Sequence, residues 1–419
     1  MRKRDIEFRQ IKPSVVHYNL LNLRQLIFEV TDACNLTCTY CAYSDLYTGR
    51  DSRIGKRMDF NQAKTIIDYL SNIWRTYNSP TFPMRLYVGF YGGEPLLNFD
   101  LIKEIIVYLE KQDRIGKTMF YTMTTNGLLL DKYIDFLIEK DFTLLISLDG
   151  DEYAQGFRID KQGNNSFERV YKNVKHIQKS QPRFFEKRVN FSTVLHSRNN
   201  IDSIYDFFYQ HFSKTPIISQ LNEVGVNKEK ENSFRSISNN YLESFQKANN
   251  RQIIENKNFM LSPELRSFYY NFEQHSDNIF DDYFALLLNK EKVGIIPTGT
   301  CTPFSKKMFV SVNGKIIQCE RIGHECTLGV INSDKVEFNF DSITNAYNKH
   351  VSVYITQCES CTFDTFCTKC IYQSDDFHKG NHRCSEYIHR KENPELNLKP
   401  LRDHPSLLTK IINELKVVK

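Results

Sequence analysis

The chain has 419 residues, 41% hydrophobic and 25% charged, with 55 Lys and Arg against 50 Asp and Glu for a net charge of +5. At roughly 150 residues per domain this length allows two or three domains with a real core, so bulk disorder is excluded and stability does not depend on disulfides. So mild a charge argues against nucleic acid or an anionic membrane as partner, no apolar run nears the roughly 20 residues of a membrane span, and the basic start lacks an apolar signal core, which together point to the cytoplasm.

After an N-terminal arm (1–25), residues 26–30 (Leu-Ile-Phe-Glu-Val) read as a short buried strand leading into a cysteine loop. A helix is expected over Phe60–Tyr77, with Ala63, Ile66, Ile67, Leu70 and Trp74 on one face and Asp59 as its cap. Residues 85–91 form a second strand stopped by Gly92-Gly93, and Asp100–Gln112 a helix with Leu101, Ile105, Tyr108 and Leu109 inward. Strands at Met119–Thr125, Thr143–Leu148, Val189–Leu195 and Ile217–Val224 alternate with helices at Asp131–Lys140, Ser166–Ser180 and Ile201–Phe212. Such alternation with short turns means a parallel sheet, open or curled into a barrel, whose ligands gather at the strand C-termini. Residues 226–297 read as a mainly helical connector, 298–390 as a small loop-rich domain, and 391–419 as a proline-marked linker and a helix. The apolar residues of that helix, Leu407, Leu408, Ile411, Ile412 and Leu415, fit packing on the body or, alternatively, a dimer contact.

Eleven cysteines fall into two groups, Cys34, Cys38 and Cys41 near the start and eight between Cys301 and Cys384. An odd number argues for metal or cluster ligation rather than disulfide pairing. Cys34-Asn-Leu-Thr-Cys38-Thr-Tyr-Cys41 sets three thiolates on one loop. Zinc prefers four ligands, and no fourth Cys or His lies nearby. A 4Fe-4S cube normally takes four thiolates, so three leave one iron open to a substrate or cofactor.

This loop resembles the motif of the radical SAM superfamily, C-x3-C-x-aromatic-C, with Tyr40 as the aromatic. Gly92-Gly93-Glu94-Pro95 is similar to the family's GGEP segment, and Thr125-Asn126-Gly127 and Ile146-Ser147-Leu148-Asp149-Gly150 are similar to further turns. Singly, a Gly-Gly or Asp-Gly pair is a common turn. In this order, at successive strand ends, the set is not a chance one. The resemblance covers about residues 26–225 and implies an α/β fold, a partial (β/α)6 TIM-like barrel, that binds S-adenosyl-L-methionine at the open iron. It implies that Gly92, Gly93 and Glu94 meet the cofactor's amino group, Ser147 its ribose and Arg158 its carboxylate, with Leu195 beside the adenine.

In the second group Cys301 is followed by Gly314 and Cys319, then by Cys358-x2-Cys361-x5-Cys367-x2-Cys370 and Cys384. Alone, CxxC-x5-CxxC also fits a zinc knuckle, with His378 and His382 as added ligands. With Cys301 and Cys319 the layout resembles the SPASM extension of radical SAM enzymes, departing from it in having two rather than three residues between Cys367 and Cys370. The resemblance implies two auxiliary 4Fe-4S clusters, three clusters in all. One would use Cys301, Cys319 and Cys370; the other would use Cys358, Cys361, Cys367 and Cys384. Cys326 either completes the first or is a small buried residue in a turn.

The resemblance further implies reductive cleavage of S-adenosylmethionine to methionine and a 5′-deoxyadenosyl radical, with an electron from a flavodoxin or ferredoxin. The auxiliary clusters then take up an electron from the substrate radical or bind substrate through an open iron. Glu320, after Cys319, is the candidate base, or else a salt-bridged surface Glu; sulfatase-maturing relatives carry Asp there. The expected substrate is a ribosomally synthesised precursor peptide that gains a thioether or carbon–carbon crosslink. Formylglycine formation in a sulfatase, or a non-catalytic cluster or zinc protein, are the alternatives. Only 33 residues precede Cys34, too few for a leader-binding domain. A leader would then dock elsewhere, with Phe268, Tyr269, Tyr270 and Phe272 as candidates unless they are plain core residues.

Overall fold

The computed structural model describes residues 10–77, 84–249 apart from 114 and 224, 301–361 apart from 333, and residues 370, 372 and 384. The chain divides into two compact units, one of Ser14–Arg251 with Pro303–Phe340 and the other of Met1–Pro13, Gln252–Thr302 and Asp341–Lys419. The aromatic run 268–272, Cys367, His378, His382 and the closing helix lie outside the described residues.

The first unit is built on one sheet. Six parallel strands follow in chain order: β1 (Gln25–Thr31), β2 (Met84–Gly92), β3 (Lys117–Thr125), β4 (Thr143–Ser147), β5 (Val189–Leu195) and β6 (Ile217–Gln220). From Leu26 to Thr31 every residue of β1 is buried, Glu29 and Thr31 included, as in a strand covered on both faces. Helices α2 (Phe60–Tyr77), α3 (Phe99–Glu110), α4 (Leu130–Glu139), α5 (Phe167–Ser180) and α7 (Ile201–Phe212) form the crossovers, as the alternation predicts. The five apolar residues expected on one face of α2 are all buried, and Asp59 accepts from the Asn61 amide at 2.6 Å as its cap. In α3, Ile102 and Ile106 join the inward face while Tyr108 is only half-buried, because its hydroxyl seeks the carboxylate of Asp68 on α2. Two helices have no counterpart in the sequence reading, α1 (Pro13–Leu21) ahead of β1 and α6 (Pro182–Arg188) between α5 and β5. Two short helices, α8 (Glu231–Ile237) and α9 (Tyr241–Gln246), follow β6.

Four further strands extend the same sheet: β7 (Lys307–Val310), β8 (Lys315–Ile317), β9 (Thr327–Asn332) and β10 (Lys335–Phe338). The sheet order is β10-β9-β8-β7-β1-β2-β3-β4-β5-β6. β7 runs parallel to β1 in the register Gln25 to Lys307 and Phe28 to Val310, and β7 to β10 are antiparallel to one another. Residues 303–340 were expected in a separate domain beginning at 298, yet they complete the first unit's sheet. The reason is that β1, first in the parallel series, has an outer edge that β2 leaves unpaired, and β7 satisfies it. The second unit contains α10 (Phe340–Ser352), which starts at the boundary, and α11 (Ile355–Glu359). Among the described residues no helix is long and apolar enough to cross a membrane.

Candidate functional site

The three-cysteine loop leaves the C-terminal end of β1 and is fastened by the turns of its neighbours. The Gly93 amide donates to the Thr31 carbonyl at 2.9 Å and the Glu94 amide to the Ala33 carbonyl at 2.8 Å, which stitches the GGEP turn to the root of the loop. On the far side the Thr37 amide donates to the Ile159 carbonyl at 2.8 Å and the Thr39 amide to the Phe157 carbonyl at 3.0 Å. The Asn126 side chain, after β3, donates to Asn35 Oδ1 at 2.7 Å and reaches Cys34 Sγ at 3.9 Å. The segments after β1, β2, β3 and β4 therefore meet at one end of the sheet, where a parallel α/β sheet binds its ligands.

Cys34, Cys38 and Cys41 are half-buried and form no disulfide. Burial raises the Cys34 pKa and pushes Cys38 to about 12, with the neighbouring thiols adding to both. Such groups become thiolates only when a cation takes the proton's place. Among the described residues no three Cys, His, Asp or Glu converge as one metal ion would need. A 4Fe-4S cube differs, because each thiolate holds its own iron. The donor set also fits a cluster: three sulfurs, and N–H donors aimed at them from the Leu36 amide (3.4 Å to Cys34) and Arg53 Nη1 (3.8 Å to Cys41).

Glu94 is wholly buried and takes three donors, the Leu96 amide at 3.1 Å, Thr125 Oγ1 at 2.8 Å and the Asn126 amide at 2.7 Å. Burial nevertheless outweighs them and pushes its pKa up to about 7. Arg158 donates through Nε and Nη2 to the two carboxylate oxygens of Asp149 at 3.0 and 3.1 Å and lies over the Tyr40 ring, its guanidinium carbon 5.3 Å from the centroid. The Tyr40 hydroxyl donates to the same carboxylate, and the buried His196 ring stacks on Tyr40. Ser147 ends β4 beside Ser192. Leu195 ends β5 and is fully buried.

Cys319 and Glu320 sit in the turn after β8. The Glu320 carboxylate accepts from Lys307 Nζ at 3.0 and 3.1 Å, a mostly buried pair rather than a surface one. Burial alone would raise its pKa, but Lys307 holds it below the usual carboxylate value, while the Cys319 thiol beside it is pushed up to about 12 by burial. The Glu320 carbonyl accepts from Arg50 Nη1 at 3.0 Å, and Tyr91 at the end of β2 feels the charges of both Glu320 and Cys41. The two cysteine regions of this unit thus face a shared polar wall of Tyr43, Arg50, Arg53 and Tyr91. No motif announces that wall, although Tyr43 lies two residues after Cys41 and the arginines form part of a basic run. The Cys326 amide donates to the Gly323 carbonyl at 3.1 Å in the same turn.

In the second unit the Tyr347 hydroxyl is buried and makes no hydrogen bond. Its pKa is raised well above the tyrosine value by burial and by the charges of Tyr372, Cys301 and Cys370, so both thiols lie within its electrostatic reach. An unsatisfied buried hydroxyl costs about 1–3 kcal/mol and calls for a partner; a sulfur cluster on these cysteines fits. The Cys361 amide donates to the Cys358 carbonyl at 3.1 Å, and the Cys384 amide donates to the side chain of Gln357 at 2.9 Å, which gathers Cys358, Cys361 and Cys384 around α11.

Residues 28–208 match the family model of the Radical SAM superfamily. A cysteine-type anaerobic sulfatase-maturating enzyme of Clostridium novyi is 27% identical over 361 residues, 83% of this chain and 87% of its own. The radical SAM cyclopropyl synthase TigE of Paramaledivibacter caminithermalis is 25% identical over 201 residues, 46% of this chain and 40% of its own. The solved structure of native anSMEcpe with bound AdoMet and Cp18Cys peptide shares the fold, with a TM-score of 0.57 at 18% identity over 93% of this chain and 99% of that one. The family implies S-adenosylmethionine and a 4Fe-4S cluster as cofactors. The three-cysteine loop thus belongs to a radical SAM domain that spans residues 28–208.

Proposed function

We propose that the protein is a radical SAM maturase that installs a thioether or carbon–carbon crosslink in a ribosomally made precursor peptide, using two auxiliary clusters held by the second cysteine group. The observation that carries this reading is the meeting of the three-cysteine loop and the Cys319–Glu320 turn across one polar wall. One end of the sheet can then present a substrate to a radical source and to a proton acceptor together. When bound, S-adenosylmethionine and its cluster supply a 5′-deoxyadenosyl radical for hydrogen abstraction, the electron coming from a flavodoxin or ferredoxin.

The chain's own residues do the rest. Glu94 orients the cofactor's amino group. Arg158 keeps Nη1 for its carboxylate while Asp149 fixes the other two nitrogens. Glu320 accepts the substrate proton as the substrate loosens its pair with Lys307. Tyr347, beside Cys301 and Cys370, supports the assignment of those two cysteines to one auxiliary cluster despite the shortened spacing.

A second reading, formylglycine formation on a sulfatase cysteine, is favoured by the sulfatase-maturating relative that matches across most of both chains. Mass spectrometry separates the two after anaerobic incubation with dithionite, S-adenosylmethionine and either a precursor peptide drawn from short reading frames near the gene or a sulfatase cysteine peptide. Loss of two hydrogens from the former supports the crosslinking maturase. Exchange of sulfur for oxygen with loss of two hydrogens in the latter supports the second reading. In the productive assay Glu320→Gln is expected to cleave cofactor and make no product; full turnover would remove Glu320 as the base.

A further inference from the structure

We infer that Arg53 is a positioning residue for the cluster of the three-cysteine loop, its guanidinium donating to the Cys41 sulfur and raising the cluster's reduction potential. The inference rests on that loop being the cluster site. It concerns a residue to which neither the sequence motif nor the spacing gives a role.

The segment carrying Arg53 is bound to the root of the loop. The Ile54 amide donates to Asp32 Oδ2 at 3.1 Å, the Asp32 amide to the Lys56 carbonyl at 3.0 Å, and Thr31 Oγ1 to the same carbonyl at 2.7 Å. Arg53 is pinned further by Tyr43, with its guanidinium carbon 3.7 Å from the ring centroid. That stacking leaves Nη1 3.8 Å from Cys41 Sγ. Its Nε is buried and makes no hydrogen bond. Among the described residues no carboxylate oxygen comes within 4.0 Å of the guanidinium. Glu29, which feels its charge, spends its oxygens on the Tyr43 hydroxyl and the Val312 amide.

A guanidinium partly withdrawn from water with no counter-ion is costly unless an anion arrives. Three thiolates around a 4Fe-4S cube supply that anion, and reduction makes it more negative. The donors aimed at Cys34, the Leu36 amide and the Asn126 side chain, are neutral. Arg53 alone among these three donors brings a full charge. It stabilises the reduced state more than the oxidised one, and hydrogen bonds to cluster sulfurs are an established means of setting potential.

The test is a redox titration of anaerobic holoenzyme followed by electron paramagnetic resonance, without S-adenosylmethionine. The relevant cluster is identified as the one whose signal changes when the cofactor is then added. At the potential that half-reduces the native cluster, Arg53→Met is expected to lower its reduced-to-oxidised ratio about three- to tenfold, with Arg53→Gln between and Arg53→Lys within about twofold of native. Iron and sulfide content is measured alongside. Full content with an unchanged ratio in Arg53→Met overturns the inference. So does an unchanged ratio accompanied by weaker cofactor binding, which would assign Arg53 to the cofactor carboxylate. Should Arg53→Met fail to load, Arg53→Gln and Arg53→Lys decide: a lower ratio in Gln supports the inference and equal ratios overturn it. Native protein with no cofactor-responsive cluster would instead sink the cluster-site reading, and the inference with it.

Discussion

Asp149 has no exposed surface and takes donors from the Tyr40 hydroxyl, Arg158 Nε and Nη2, and the Val194 amide. It thereby locks the aromatic of the cysteine loop to β5 and to the segment after β4. Burial alone would raise its pKa, but Arg158 and His196 hold it down at about 2. Its contribution to stability is complete above the ordinary 3.8 and is lost only as pH falls through about 2, so it is flat near neutrality. Asp149→Asn leaves Arg158 buried without its counter-charge and is expected to cost about 3–5 kcal/mol, read as a lower denaturant midpoint with reduced iron content. Glu94 behaves in the opposite sense. With its pKa raised to about 7, the stability gained by holding that proton is complete below 4.5 and is lost as pH rises through about 7. The native denaturation midpoint should therefore fall, relative to that of Glu94→Gln, as pH rises from about 4.5 to about 7, and level off above that; parallel profiles would show that Glu94 does not titrate there. Glu94 stands out in the sequence because it is written into a contiguous motif. Tyr43, Arg53 and Lys307 do not, since their contacts depend on which side chains the fold brings opposite them.

At the scale of elements, the joint between β2 and the cysteine loop is made without side chains. Gly92 has φ of +145°, and a Cβ there would run into the Thr31 carbonyl oxygen, while a Cβ on Gly93 would run into the Ala33 carbonyl oxygen. The close approach lets the Gly93 and Glu94 amides donate to the loop root. Gly93→Ala must push the loop away and is expected to cost about 1–3 kcal/mol or more and to lower cluster content measured as iron per chain. Retention of both would mean that the loop adapts. The crossover helices and parallel strands were legible because their apolar periodicity is local. The face taken by Tyr108 was not, because a hydroxyl's partner on another helix decides it. Helix α6 carried a sequence signal in Pro182 at its first position but is too short to show a period.

For the molecule as a whole, the alternation foresaw the six-stranded parallel core but not its extension. Nothing near β1 in sequence announces β7, and an edge strand accepts any partner of matching pattern, so this pairing was not legible. A chain ending at residue 297 would lack β7 to β10 and leave the outer edge of β1, with Leu26, Ile27 and Phe28, unpaired. It is expected to aggregate at concentrations where the full chain remains dispersed, as light scattering would show; a monodisperse, cooperatively folding product would mean that β7 is dispensable. The register of Gln25 against Lys307 has a consequence during synthesis as well. At about 5–20 residues per second, the ribosome delivers β7 roughly 15–60 s after β1. Throughout that interval the nascent chain holds a bare hydrophobic ribbon beside the site where iron and sulfide must be inserted. Pairing of β1 with β7, and with it the finished sheet edge beside the cysteine loop, therefore comes late in synthesis.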